Sequence, residues 1–211
     1  RSVTVEGGYD SCSDPTPDAQ TPTLIGPTAS SQRSLAIAGL ASGERFRITL
    51  RNLDFDRAAS GALSLTDRVQ VTLSDTLVRR GTATNGGGIT VDGDALALIG
   101  QRTLLVMDGS SRVEDNIASG LGGGIHCIDG AEVRLLGRDV GVVSNRAQNG
   151  GGLALINCVF DWTNPASGAQ FGISANDALA TGGGILAIDG GMRFAGNGSA
   201  SGSTKRVGTT G

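Results

Sequence analysis

Four carboxylates and two arginines in the first half of the chain are the residues best suited by type to do chemistry. Asp54 and Asp56 lie two positions apart on an extended segment, so they share one face, and Asp67 and Asp75 fall on segments soon after. Two carboxylates at a fixed separation, one of them a proton donor, are what glycoside hydrolysis requires. With Arg79-Arg80 as base and Asp54, Asp56 and Asp75 around calcium, the same group would suit a polysaccharide lyase. The only histidine, His126, has Cys127 beside it, and one His with one Cys is an incomplete zinc site. Asp92, Asp129 and Asp189 recur at turns, but one acid per turn, with Asn157 in its place once, is sparser than calcium-binding repeats need. None of these sets completes a motif. The expectation is solvated charges on an outer strand face and plain Asp-Gly turns, with no catalytic, cofactor-binding or metal-ligating residue assigned and no cofactor.

The elements that would position these groups come from a repeat. Gly-Gly-Gly-Ile/Leu occurs at Gly86–Ile89, Gly122–Ile125, Gly150–Leu153 and Gly182–Ile185, so successive copies start 36, 28 and 32 residues apart. Self-similarity of that period marks a solenoid. Ahead of three triplets stands a short apolar run ending in Asn116, Asn145 or Asn176; the first copy has Leu77-Val78-Arg79-Arg80 there instead. After each triplet come a short strand, a turn at Asp92-Gly93, Asp129-Gly130, Asn157-Cys158 or Asp189-Gly190, and a second strand. Those second strands are Ala95–Leu98, Glu132–Leu135, Val159–Trp162 and Met192–Phe194. Asp and Gly at a turn tolerate the left-handed backbone region. The run ending in Asn supplies a third strand, and an Asn at the same place in each repeat can stack amide on amide.

Each unit is thus three strands and their turns, one coil of a three-faced parallel β-helix. The predicted fold is all-β, a right-handed parallel β-helix or solenoid of about six or seven coils. Ile89, Ile125, Leu153 and Ile185 are expected to line up inside it. Residues 1–80 show the same strands without the triplet, at Val3–Val5, Thr23–Gly26, Ser34–Ala38, Phe46–Leu53, Gly61–Leu65 and Val69–Leu73. Residues 81–200 carry the Gly-Gly-Gly-Ile repeats. A single helical turn is expected at most, over Ala175–Ala180, and a loop over Asn164–Ala169.

The 211 residues include 35 Gly, too many for an average domain yet without the Gly-X-Y period of collagen. Hydrophobic residues make up 38% and are too regularly placed for a disordered chain. A net charge of −3 leaves no basic footprint for nucleic acid. No apolar run approaches the ~18 residues of a membrane-spanning helix. Gly120–Gly124 is not a dinucleotide loop, because a strand rather than a helix follows it. Asn197-Gly198-Ser199 matches a glycosylation sequon but also continues the Asn position of the repeat. The odd number of cysteines, Cys12, Cys127 and Cys158, excludes a full disulfide framework. Cys127 and Cys158 occupy different positions of the repeat, so free buried thiols are expected, with a bridge from Cys12 to either left open. The beginning at Arg1 and the polar end beyond Gly198 suggest one domain, 1–211, cut from a longer protein.

The pairing of Gly-Gly-x-Ile with an apolar-x-x-Asn run, as in Phe194-Ala195-Gly196-Asn197, resembles the repeats of chlamydial polymorphic outer-membrane proteins. It is similar to repeats in other bacterial right-handed parallel β-helix surface proteins. Val3–Tyr9 followed by Cys12 resembles their leading coils. The likeness is clear over residues ~75–200 and loose elsewhere. It implies a secreted or surface-displayed passenger of adhesin type, autotransporter-like and extracellular, whose membrane anchor lies outside this chain. Its implied partners are host or cell-surface proteins or glycans. The alternative expectation on the same backbone is a carbohydrate-active enzyme, a lyase or glycoside hydrolase, or a carbohydrate-binding β-helix.

Overall fold

The computed structural model describes residues 2–9, 16–18, 21–26, 32–39, 44–94, 101–136, 139–164 and 172–196. The expected strand Ala95–Leu98, most of the expected loop over Asn164–Ala169, Cys12, Asn197 and the polar end lie outside them. The described residues form an all-β structure of 23 strands in four sheets, and every pairing is parallel.

Sheet 1 holds Ser2–Glu6, Phe46–Arg51, Val69–Ser74, Leu104–Asp108, Glu132–Leu135, Val159–Asn164 and Gly191–Gly196. Sheet 2 holds Thr23–Ile25, Leu53–Asp56, Leu77–Arg79, Arg112–Glu114, Gly141–Val143 and Ile173–Ser174. Sheet 3 is shorter, with Thr82–Ala83, Ile117–Ala118, Arg146–Asn149 and Asp177–Thr181. Sheet 4 holds Leu35–Ala38, Leu63–Thr66, Ile89–Asp92, Ile125–Ile128, Leu153–Ile156 and Ile185–Ile188. From Leu77 onward the chain visits the sheets in the order 2, 3, 4, 1 and lays each strand beside the one a repeat earlier where that repeat has one.

The register follows from alternation. Val69–Ser74 alternates buried and half-buried positions, as a strand with one face on a core must. Leu35, Leu63, Ile89, Ile125, Leu153 and Ile185 stand opposite one another in a continuous column, as expected for the last four. In sheet 1 the equivalent column is Val3, Ile48, Val71, Leu105, Val133, Phe160 and Met192. One hydrophobic cluster joins residues of sheets 1, 2 and 4, among them Leu73, Phe55 and Ile125. A one-residue slip would turn every such column outward, which fixes the pairing. At the outermost strands the inward column opens: Val3 is 46% exposed and Met192 40%.

Four sequence expectations need correction. The repeat has four sheets rather than three faces, because the residues just after each Asn pair as a short additional strand. Ala175–Ala180 is not a helical turn; Asp177–Thr181 is a strand beside Arg146–Asn149. Phe46–Leu53 is broken at Asn52, whose φ of 52° turns the chain from sheet 1 into sheet 2. In the first triplet repeat Glu114 stands opposite Arg79, so Arg80 matches Asp115 and Gly81 matches Asn116.

The Asn positions form the expected ladder. Asn116 donates its Nδ2 to Asn145 Oδ1 at 2.9 Å, and Asn145 donates its Nδ2 to Asn176 Oδ1 at 3.0 Å. Backbone N–H groups join in: Gly81 donates to Asn116 Oδ1, and Asn116 to Asn145 Oδ1. The third glycine of the first three triplets, Gly88, Gly124 and Gly152, lies against this ladder. A Cβ on Gly124 would stand 2.9 Å from Asn145 Nδ2 and 2.8 Å from the Gly152 carbonyl oxygen. No side chain fits there, so the third glycine answers to a close approach rather than to backbone conformation.

Candidate functional site

The acids Asp54 and Asp56, expected as solvated charges on an outer strand face, are instead buried in sheet 2 and held by the arginines of the next strand. Leu53–Asp56 and Leu77–Arg79 are parallel neighbours, with Asp56 opposite Arg79. Arg79 grips Asp54 with two hydrogen bonds, Nε to Oδ1 at 2.9 Å and Nη2 to Oδ2. Arg80 grips Asp56 likewise, with both contacts at 2.6 Å. Forked guanidinium–carboxylate pairing of this kind is strong and directional. The hydrogen bonds to Asp54 raise the Arg79 pKa above its ordinary value. The Asp54 side chain is only 6% exposed and that of Asp56 11%, so both are largely withdrawn from solvent. A general acid needs a proton at neutral pH, and a general base needs an unencumbered oxygen. In both pairs the two carboxylate oxygens are each engaged by a guanidinium N–H.

The other acids take separate places. Asp75, at the turn out of sheet 1 with φ 50°, accepts from the backbone N–H and the hydroxyl of Ser110, both at 3.0 Å. Asp67, at the turn from sheet 4 into sheet 1, accepts from the Thr66 hydroxyl at 3.0 Å. Asp67 and Asp75 are thus not gathered with Asp54 and Asp56: each serves a different corner.

The turns after sheet 4 carry the Asp and Asn residues in left-handed backbone, with φ 55° at Asp129, 49° at Asn157 and 50° at Asp189. Burial raises the Asp92 pKa above the ordinary carboxylate range, and the charges of Asp129 and Asp67 add to the rise. Among the described residues no three His, Cys, Asp or Glu side chains are gathered as a metal-holding group.

Cys127 and Cys158 are joined by a disulfide, with Cα atoms 5.9 Å apart. This corrects the expectation of free thiols. Cys127 does stand opposite Leu155, so the two cysteines are not in one column. The turn at Asn157 brings Cys158 round to the start of the next strand, where both sulfurs enter the core at the corner between sheets 4 and 1. Both residues are almost wholly buried.

His126 points away from Ile125 and Cys127, as expected, but it is buried at 6% exposure. It stands between Thr90 and Ala154 on the outer column of sheet 4. The left-handed first glycine of the triplet, Gly122, folds back over it; a Cβ there would lie 2.9 Å from His126 Cα. Its Nε2 is enclosed without a hydrogen-bond partner. Burial lowers its pKa below the ordinary 6.5, with the nearby Asp129 charge acting in the opposite sense.

Sequence reasoning missed a groove. It holds about 460 Å3 and is lined by Arg33, Ser60, Thr82, Thr84, Asn85 and Ser119, with the backbone near Ala59 and Ala83. It lies where sheet 3 begins. Thr82–Ala83 is the first strand of that sheet, and the preceding repeat offers only a turn at Ala59-Ser60 beside it. Thr82 N–H donates to the Ala58 carbonyl at 2.7 Å, and Ser119 N–H to the Ala83 carbonyl at 3.0 Å, so the backbone around the notch is fixed. Asn85 Oδ1 accepts the Leu121 N–H at 2.9 Å, leaving its NH2 as the donor end. Arg33 is half-buried, burial lowers its pKa, and it forms no ion pair among the described residues. No periodic signal marks these residues, because the groove arises from a missing strand rather than from a motif.

No family model matches the chain, and neither a curated protein nor a solved structure matches it.

Proposed function

We propose that the stacked repeats form a right-handed parallel β-helix that works as a secreted or cell-surface interaction scaffold, similar to the passengers of polymorphic outer-membrane proteins. The observation that carries the reading is the unbroken parallel register from Leu35 through Ile185, repeat upon repeat. Connections between parallel strands of one sheet are right-handed in ~98% of cases, which supports the hand. Seven strands of sheet 1 spaced ~4.8 Å apart give a stack about 29 Å long, with outer faces open to a partner. Repeat proteins use such extended faces for binding.

The Cys127–Cys158 disulfide favours an oxidising location, since structural disulfides persist mainly outside the cytosol. Among the described residues no helix is long and apolar enough to cross a membrane. The arginine-locked Asp54 and Asp56 favour a binding role over hydrolysis or lyase chemistry. The test is to raise antibodies against the folded domain and label intact cells of the source organism. Labelling that is lost after mild protease treatment of whole cells supports surface display. Signal released only on lysis overturns it.

A further inference from the structure

We infer that the groove at the start of sheet 3 binds a carboxylate-bearing saccharide, with the acid group on Arg33 and the sugar hydroxyls on Ser60, Thr82, Thr84, Asn85 and Ser119. This deepens the surface-scaffold reading and rests on it, by giving the scaffold a class of ligand.

Shape supports the inference first. The groove is an open notch of about 460 Å3 with Thr82, Thr84, Asn85 and Ser119 exposed along it, so an extended ligand can lie across it with one side in solvent. Its lining residues come from successive repeats, whose strands stand ~4.8 Å apart. A short linear oligosaccharide laid along the stack meets a new polar group at each step. The rigid sheet beneath means little ordering is needed on binding.

Chemistry supplies the class. The groove has one guanidinium and no carboxylate in its lining, so an anion is favoured. Arg presents a planar fork that matches a carboxylate in two parallel hydrogen bonds. Partial burial of Arg33 strengthens that attraction relative to a fully solvated charge. The remaining groups are hydroxyls and one amide, which both donate and accept, as sugar hydroxyls require. Thr82, Thr84 and Ser119 line the groove, are exposed, and form no side-chain hydrogen bond within the described residues. No aromatic or long apolar side chain lines it, which disfavours an apolar ligand.

The experiment is calorimetric titration of the purified 211-residue protein with a triuronate, 3′-sialyllactose and neutral maltotriose. At least one acidic sugar is expected to bind at least tenfold more tightly than maltotriose, and the comparison of the two identifies the source of the carboxylate. Arg33→Ala is expected to weaken that binding at least tenfold, with Arg33→Lys recovering part of it. Ser119→Trp, which fills the groove from its exposed rim, is expected to abolish binding with the circular-dichroism spectrum unchanged. Absence of binding to either acidic sugar overturns the inference. So does equal binding of maltotriose, or binding unchanged in both Arg33→Ala and Ser119→Trp. Titration uses purified protein, so its failure strikes the groove alone, whereas failure of cell labelling strikes the surface location.

Discussion

Asn145 sits between Asn116 and Asn176 and bonds to both, accepting the Asn116 Nδ2 at 2.9 Å and donating its own Nδ2 to Asn176 at 3.0 Å. It also donates to the Val113 and Val143 carbonyls and accepts the Asn116 backbone N–H. The residue is 1% exposed, so water cannot replace these partners. A buried group left unpaired costs ~1–3 kcal/mol, so Asn145→Ala is expected to lose about 2–4 kcal/mol of stability. Asn145→Asp keeps the acceptor but removes both donors and buries a charge, and should lose as much. Urea unfolding measures both; a change under ~0.5 kcal/mol would remove the ladder from the forces that hold the repeats.

Gly124 and Gly191 separate the need for a missing side chain from general tolerance. A methyl at Gly124 meets Gly152 O at 2.8 Å and Asn145 Nδ2 at 2.9 Å, whereas at Gly191 nothing lies within 4 Å. Gly124→Ala is expected to destabilise by about 1–3 kcal/mol through overpacking. Gly191→Ala should shift the unfolding midpoint little. Equal effects at the two sites would mean that the triplets serve the unfolded chain's entropy rather than this contact.

The strand columns were legible because a period-two pattern on a fixed repeat leaves only one register that buries Ile89, Ile125, Leu153 and Ile185 together. The Asn ladder was legible for the same reason: one residue type at one place in each unit. What failed were relationships across a corner. Cys127 and Cys158 differ in column, and a reading that stacks like on like cannot see that the turn at Asn157 joins them. The strand Ile117–Ala118 is too short to show alternation, so the third sheet went unread. The groove was invisible because it depends on where that sheet starts.

The Cys127–Cys158 bridge closes a segment with a sequence separation of 31 residues and lies in the core. Disulfides of such span contribute about 2–4 kcal/mol, so Cys158→Ser is expected to lower stability by that amount. Native protein should keep the bridge in dithiothreitol until it is partly unfolded, since both sulfurs are shielded. Alkylation of both cysteines in native protein without reductant would show that the bridge does not form.

Asp54 and Arg79 offer a test of a structural against a catalytic role. The pair is forked and part-buried, with the Arg79 side chain 31% exposed. A double-mutant cycle on Asp54→Asn and Arg79→Gln is expected to give a coupling of about 1–3 kcal/mol in stability, above the value for exposed ion pairs. Neither change should affect binding at the groove. Purified protein that cleaves an acidic polysaccharide, and stops doing so with Asp54→Asn, would restore the enzymatic reading.

His126, the chain's single histidine, predicts a pH dependence that is read as the difference between the native protein and His126→Gln, because the raised pKa of the Asp92 carboxyl adds a slope of opposite sign. Its folded pKa lies below the ordinary 6.5, since burial disfavours the imidazolium. Between the folded pKa and 6.5 the unfolded chain therefore binds more protons than the native one. The His126 contribution to stability must rise with pH across that window and fall as the pH drops below 6.5, levelling once the folded form also takes up its proton. The slope is bounded by about 1.4 kcal/mol per pH unit for one group. Asp129 is the charge that works against the shift, so Asp129→Asn should steepen the loss. His126→Gln should flatten it. Urea unfolding from pH 5 to 7.5, above the range where most carboxylates titrate at ~4, checks both. Identical slopes in the native protein and His126→Gln would place the acid sensitivity elsewhere and leave the buried ring without a thermodynamic consequence.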